Sequence, residues 1–283
     1  MKIVQIDAFS NKPFFGNPAA VVLLDKELSA ETMLDISREM NLSETAFVKA
    51  INEDKELFEI RYFTITDEVD MCGHATISAL SVIRTEYDVP EMFYIKTKAG
   101  AIKVAIKGNN GQTTYYIRQP EGREKSVNVS RETLTKVLNI DETKIQTLYD
   151  IEPTIYSTGL FDLLVPIKDR KTLNGITIDR DLMIQDSKEK DMVGYHCYCV
   201  EDGIIYSRNF APLFGIDEEA ATGTSNGALL TLLYERGRIS KGTYKIIQGE
   251  AMGKSTEIYG LINDEGIWIG GECYSLFTGE LTI

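Results

Sequence analysis

Four cysteines in 283 residues, at positions 72, 197, 199 and 273, form no C-x-x-C pair. They are too few for a disulfide scaffold, and a reducing compartment is the simpler setting. Histidine is scarcer, with two in the chain. No apolar stretch approaches the length needed to span a bilayer, and no basic segment followed by an apolar one precedes the strand-like run Lys2 to Phe9. These absences lead us to expect a cytoplasmic protein without a membrane partner. Positive charge is also in deficit: 30 Lys and Arg against 43 Asp and Glu leave a net charge of −13. Such a surface repels nucleic-acid phosphates and anionic headgroups, so nucleic acid is not expected as a partner. What is present is the composition of an ordinary globular protein, 43% hydrophobic and 26% charged, and the length suits about two domains at roughly 150 residues each.

Short β-branched or aromatic runs bounded by Gly, Asn, Asp or Pro, such as Ala19 to Leu24, Phe58 to Phe63 and Phe93 to Lys98, predict strands. Ser29 to Met40 places Met33, Ile36 and Met40 on one helical face behind a Ser29 cap, and Ser130 to Leu138 repeats the design with Leu134, Val137 and Leu138. Two further helices are predicted, from Gly73 to about Tyr87 and from near Gly223 to a C-terminal glycine at 237.

The surroundings of those two helices repeat. Arg61-Tyr62-Phe63-Thr64 leads to Asp67-Glu68 and then Cys72-Gly73-His74, and Arg208-Asn209-Phe210-Ala211 leads to Asp217-Glu218 and then Thr222-Gly223-Thr224. The offset is 150 from Asp67 through Gly73 and 147 for the upstream pair, with the difference absorbed around Pro212-Leu213-Phe214. Two similar α+β halves follow, 1–118 and 119–283, with the boundary in the polar stretch Gln119 to Asn128 and the final strand near 277–283 as a candidate to rejoin the first half.

Each repeat opens a helix with a small glycine-containing turn. The first N–H groups of a helix lack internal acceptors and carry the positive end of its dipole, so these turns suit an anion. Two of them could clamp one carboxylate, although either alone reads as a capped helix. His74 lies in the first of these turns, within reach of a bound ligand. His196, in Tyr195-His196-Cys197-Tyr198-Cys199, faces away from both cysteines of its strand and reads as structural, so no metal site is expected there. Cys72 is either a reactive thiolate or a small packing residue, and its counterpart Thr222 cannot act as a thiolate. Among many solvated carboxylates Glu44 differs, standing between a helix end and the apolar run Thr45 to Val48. Desolvation there would raise its pKa toward neutrality, suiting it to take and return a proton. Glu218-Glu219 could place a second carboxylate near the other turn.

Four ordered motifs then carry a resemblance: Phe15-Gly16-Asn17-Pro18-Ala19-Ala20-Val21-Val22, Leu42-Ser43-Glu44-Thr45-Ala46-Phe47, Cys72-Gly73-His74-Ala75-Thr76 and Ala221-Thr222-Gly223. In order and spacing they resemble the PhzF family of phenazine-biosynthesis isomerases, which shares the duplicated fold of diaminopimelate epimerase, over nearly the whole chain. The resemblance implies two pseudo-symmetric halves, each a curved sheet around a central helix, and a homodimer. It implies a cofactor-independent isomerase with its site between the halves, Glu44 as acid/base and His74 contacting substrate. Gly73, Ala75, Asn17 and Ser43 from the same motifs, and Glu219, Gly223, Thr224 and Ser225 from the second turn, would complete the binding of a small carboxylate-bearing metabolite. The chain departs from the family's E-D-P-A-T-G-S-A pattern with Glu219 for Asp, Ala220 for Pro and Thr224 for Ser, and Lys254-Ser255 stands where Arg-Pro is usual. Rival readings are epimerisation or dehydration of an amino or hydroxy acid, a thiol hydrolase built on Cys72 and His74, and a non-catalytic metabolite-binding protein.

Overall fold

The structure, a computed structural model, describes residues 1–53, 56–109, 111–146 and 150–283. Its contacts divide the chain into two units, Met1–Arg118 with Gly270–Ile283, and Gln119–Ile269. The segment of the last third that belongs with the N-terminal unit thus begins at Gly270, earlier than the strand signal near 277 suggested.

In the N-terminal unit, β1 (Lys2–Ala8) pairs antiparallel with β2 (Asn17–Leu23). Residues Ala19 to Val22 are fully enclosed, which is why this strand reads as a continuous apolar run without alternation. Helix α1 (Ala30–Met40) then carries the chain to β3 (Thr45–Glu53), parallel to β2. The Ser29 hydroxyl accepts from the Thr32 N–H at its start, and Asn41 ends it in the left-handed region at φ 51°. Its stripe, Met33 and Ile36, packs against Ile3, Val22, Phe47 and Phe63. β4 (Glu56–Phe63) returns antiparallel to β3, and the two-residue β5 (Glu68–Val69) pairs with the end of β4. After α2 (Gly73–Glu86), β6 (Met92–Thr97) joins parallel to β4, followed by the antiparallel β7 (Gly100–Asn109) and β8 (Gln112–Arg118). A last strand, Cys273–Glu280, pairs with β1. Helix α2 is buried continuously from His74 to Ile83 and touches β1, β2, β3, β8 and the last strand, so strands from both ends of the sheet meet one helix. Over that stretch the helix has no solvent-facing stripe, and its small polar residues Thr76 and Ser81 bond to backbone carbonyls of Cys72 and Ser78.

In the C-terminal unit the same order of pairings recurs. β9 (Arg123–Lys125) is followed by α3 (Arg131–Leu138) and β10 (Thr154–Ser157), and β10 pairs with both β9 and β11 (Asp162–Pro166). Helices α4 (Arg170–Asn174) and α5 (Arg180–Lys190) lead to β12 (Gly194–Glu201), parallel to β11. β13 (Ile204–Ala211) returns antiparallel, the short β14 (Ile216–Glu219) pairs with its end, and α6 (Gly223–Glu235) follows. β15 (Gly242–Gln248) lies parallel to β13, then come β16 (Thr256–Asn263) and β17 (Gly266–Gly271). Helices α4 and α5 carry too little apolar periodicity to be read from the sequence; each is started by an aspartate cap, Asp169 and Asp179. The predicted glycine at 237 does follow α6, at φ +65°. Along β12, Tyr195, Cys197 and Cys199 pack with α3 and α5, and the alternation turns His196 toward α6. Among the described residues no helix is long and apolar enough to cross a membrane.

The repeated Arg-x-Phe and Asp-Glu segments have a direct physical meaning. In each unit the arginine of the long strand grips a glutamate of the two- to four-residue strand beside it. Arg61 Nε and Nη2 donate to the two oxygens of Glu68 at 2.7 and 3.0 Å, and Arg208 does so to Glu218 at 2.8 and 2.7 Å. These pairs brace the chain just ahead of α2 and α6. Arg208 is the more enclosed of the two and also donates to the carbonyls of Leu173 and Ile176. Arg208→Ala is therefore expected to cost about 3–5 kcal/mol by stranding buried acceptors and a charge, against about 1 kcal/mol for Arg61→Ala, as read from urea unfolding midpoints.

Candidate active site

Three side chains of the N-terminal unit meet at the start of α2. Glu44 stands on the residue before β3, where the parallel pairing with β2 begins and the Ala20 N–H donates to the Glu44 carbonyl. His74 is the second residue of α2 and nearly enclosed. Glu44 Oε2 lies 3.1 Å from His74 Nε2, Ser43 Oγ is 3.3 Å from the same nitrogen, and Cys72 Sγ is 3.4 Å from Nδ1. The carboxylate oxygen is buried and off the line of the imidazole N–H: an ion-pair contact is made, while an aligned hydrogen bond is not. Cys72 occupies the cap position of α2 without a capping side-chain hydrogen bond, unlike Ser29 and Ser130, which cap their helices. Gly73 and Ala75 flank His74 in this first turn, and Asn17 is buried at the start of β2.

The electrostatics correct one expectation. Burial does push the Glu44 carboxyl upward, as its position between a helix end and an apolar strand suggested, but the neighbouring His74 and the Ser43 hydroxyl outweigh it and the net shift is below 4.5. His74 moves the opposite way. Burial disfavours its cation, yet Cys72 and Glu44 together hold its pKa well above 6.5. Burial also pushes the Cys72 thiol up, so the carboxylate is the charged neighbour. The His74 cation and the Glu44 carboxylate favour one another, while burial disfavours the Cys72 thiolate. That arrangement disfavours a thiolate nucleophile, and with it the thiol-hydrolase reading. Among the described residues Glu44, Cys72 and His74 are the one group of three whose ligand atoms lie close enough for a metal, within 4.8 Å of one another.

The remaining candidates lie in the C-terminal unit, at the start of α6. Thr222 holds the cap position, again without a capping side-chain hydrogen bond, and Gly223, Thr224 and Ser225 form the first turn. Thr222 Oγ1 donates to Glu219 Oε2 at 2.7 Å, so the threonine standing where the repeat has Cys72 serves to fix a carboxylate. Beneath the turn lies a buried network that residue-type reasoning did not foresee as a unit. The Gln248 amide donates to Thr222 Oγ1 and to the Glu219 carbonyl, its Oε1 accepts from the Thr222 N–H and from Asn226, and Asn226 Oδ1 lies 3.0 Å from His196 Nε2. Burial drives His196 down to about 4, a neutral structural ring. Asp162, bonded to Ser225, was also missed; it is an acid on the first residue of an apolar strand, where Glu44 stands one residue before its own.

Comparison with known proteins shows the family of the chain. The family model described as "Phenazine biosynthesis-like protein" (PhzC-PhzF) matches residues 6–273. An uncharacterized isomerase of Clostridium acetobutylicum is 33% identical over 99% of this chain and 98% of its own. The crystal structure of a Bacillus anthracis phenazine biosynthesis protein of the PhzF family superposes with a TM-score of 0.87, at 25% identity over 100% of this chain and 99% of that one. A hydroxyproline epimerase from Agrobacterium vitis shares the fold at 12% identity, with a TM-score of 0.62 over 99% and 91% of the two chains. If the thiol is a bystander, Cys72 in the folded protein will react with iodoacetamide at pH 7 much more slowly than in the urea-unfolded chain, as read by mass spectrometry of the labelled peptides.

Proposed function

Because the chain belongs to the phenazine biosynthesis-like protein family, whose curated relatives are named isomerases, we propose that it is an isomerase moving a proton on a small carboxylate-bearing metabolite, with Glu44 as the acid/base. The observation that carries this reading is a partly buried Glu44 carboxyl whose Oε2 lies 3.1 Å from His74 Nε2 while part of the side chain stays exposed. With Oε2 turned to His74, the other oxygen, Oε1, is the one proposed to take a proton from substrate. A carboxylate held below its ordinary pKa is a weak base, so the substrate carbon must be activated by an adjacent carbonyl, imine or conjugated acid. The same shift makes the protonated Glu44 a willing donor, which favours return of the proton at a second carbon on the same face. His74 can donate to the oxygen on which charge develops when the first proton leaves. The proposed steps need no metal or organic cofactor.

In this reading Ser43, Gly73, His74, Ala75 and Asn17 contact substrate from the N-terminal unit, with a carboxylate on the uncapped N–H groups of α2. Glu219, Gly223, Thr224 and Ser225 are proposed as a second substrate-contacting segment. The longer Glu219 arm would be held in place by its bond to Thr222. We propose that the two units are duplicated halves, on the repeated order of strand pairings, and that the protein is a homodimer.

Glu44→Gln should bind substrate normally and lose about 10²–10⁴-fold in turnover, with deuterium no longer incorporated from heavy water; turnover near the wild-type rate would remove the mechanism. The pH profile of kcat/KM should be bell-shaped. Its acid limb lies below 4.5, where Glu44 gains a proton, and its alkaline limb above 6.5, where His74 loses one. Stability shares that window. The Glu44 contribution is present above 4.5 and lost as pH falls through its folded value, and the His74 contribution is present below 6.5 and lost as pH rises through its own.

A further inference from the structure

The second half of α2 borders a cavity that the proposed proton transfer does not use. It has a volume of about 170 Å³ and lies within the N-terminal unit, between α2, β1, β8 and the last strand. Val4, Ile6 and Val82 give it aliphatic walls, and hydroxyl side chains make up most of the rest. Ser81 and Thr85 of α2 spend their O–H donors on the helix, at the carbonyls of Ser78 and Ser81. Tyr115 of β8 and Ser275 and Thr278 of the last strand also line it, and no other described residue hydrogen-bonds to their hydroxyls. Tyr115 is 8% exposed, and a hydroxyl so enclosed normally has a partner. Among the lining residues the only charges are those of Lys2 and Glu86, and they cancel, with Lys2 Nζ donating to Glu86 Oε1 at 2.6 Å. Burial pushes Tyr115 up to about 12 and also raises the Cys273 thiol beside it, so neither adds charge. The fold itself does not demand this space. In the C-terminal unit the residue 150 positions on from Thr85 is Glu235, which accepts from the Tyr156 hydroxyl, and Gly122 leaves room for that hydroxyl beside Thr231, the counterpart of Ser81. A tyrosine there covers the helix face that in the N-terminal unit borders the cavity.

We propose that the cavity is a binding site for a small uncharged polyol of about six to eight non-hydrogen atoms, since a cavity of about 150 Å³ holds benzene. The hydroxyls of Tyr115, Ser275 and Thr278 bond its oxygens, and Val4, Ile6 and Val82 cover its carbon chain. A charge of either sign on the ligand is disfavoured, because it gives up hydration and meets a cation and an anion already paired. No covalent step is involved. The site stands apart from the Glu44–His74 contact, with Ser81 about 10 Å beyond His74 along α2. Binding here is independent of the proposed isomerase reaction.

The test is a glycerol titration of the full chain with labelled Val and Ile methyl groups, read by NMR. Shifts should saturate at Val4, Ile6 and Val82 and be absent at Ile246 and Ile258 of the C-terminal unit. Glycerate and 2-amino-1,3-propanediol, which carry opposite charges, should each bind at least about tenfold more weakly than glycerol. Ser275→Leu fills the cavity and should abolish the saturable shifts. Thr278→Val keeps the shape and loses one hydroxyl, which should weaken binding about three- to tenfold, and it decides the matter should Ser275→Leu not fold. Shifts that rise linearly without saturation, shifts spread evenly over both units, glycerate bound as tightly as glycerol, or binding unchanged in Thr278→Val or in a folded Ser275→Leu would overturn the proposal. None of these results bears on solvent exchange in Glu44→Gln, so failure here leaves the Glu44 mechanism to its own test.

Discussion

The contact between Glu44 and His74 is the interaction on which the functional account depends. Each group is costly to bury charged and tolerable there only because the other is present. Two separate pieces of architecture deliver them. The parallel junction of β2 and β3 presents Glu44, and the first turn of the enclosed helix α2 presents His74. Because α2 is surrounded by strands, its start cannot drift relative to β3, and the 3.1 Å separation is fixed by the core. The Arg61–Glu68 pair braces the chain immediately before that helix.

The C-terminal unit solves a similar problem with different residues. Helix α6 also starts without a side-chain cap, and its approach is also braced, by Arg208 and Glu218. Where the N-terminal unit puts Cys72 and His74, it puts Thr222 and Thr224, and the polar machinery moves below the turn into Gln248, Asn226 and His196. Such a network, with its amide groups bonded on several sides, makes a rigid platform. Among the described residues of this unit, one buried carboxyl oxygen, Asp162 Oδ1, lacks a hydrogen-bond partner.

Much of this was legible in the sequence, for identifiable reasons. Ser29 and Ser130 precede apolar stripes and act as caps, Gly237 ends α6 in the left-handed region, and the repeated Arg and Glu positions turn out to bond to each other. Glu44 and His74 could be named because rare residue types stood at a strand start and a helix start. Their pKa directions could not, since a shift depends on a partner 30 residues away whose distance no local pattern encodes. The residues around Glu44 in the chain show its desolvation but not its counter-ion, so the expected sign is reversed. Helices α4 and α5 were illegible because Leu182 and Met183 are adjacent and make no stripe, their packing being set by the sheet beneath. Asp162 was lost among 43 acidic residues because what distinguishes it is a serine 63 positions on.

With two histidines in the chain, imidazole NMR reads the central claim without substrate or turnover. The account predicts one ring, His74, doubly protonated at pH 7, with its pKa falling when Glu44 is changed to Gln, and a second, His196, neutral at the same pH in both proteins. A His74 ring that is neutral at pH 7, or one that titrates identically with and without the Glu44 carboxylate, would contradict it.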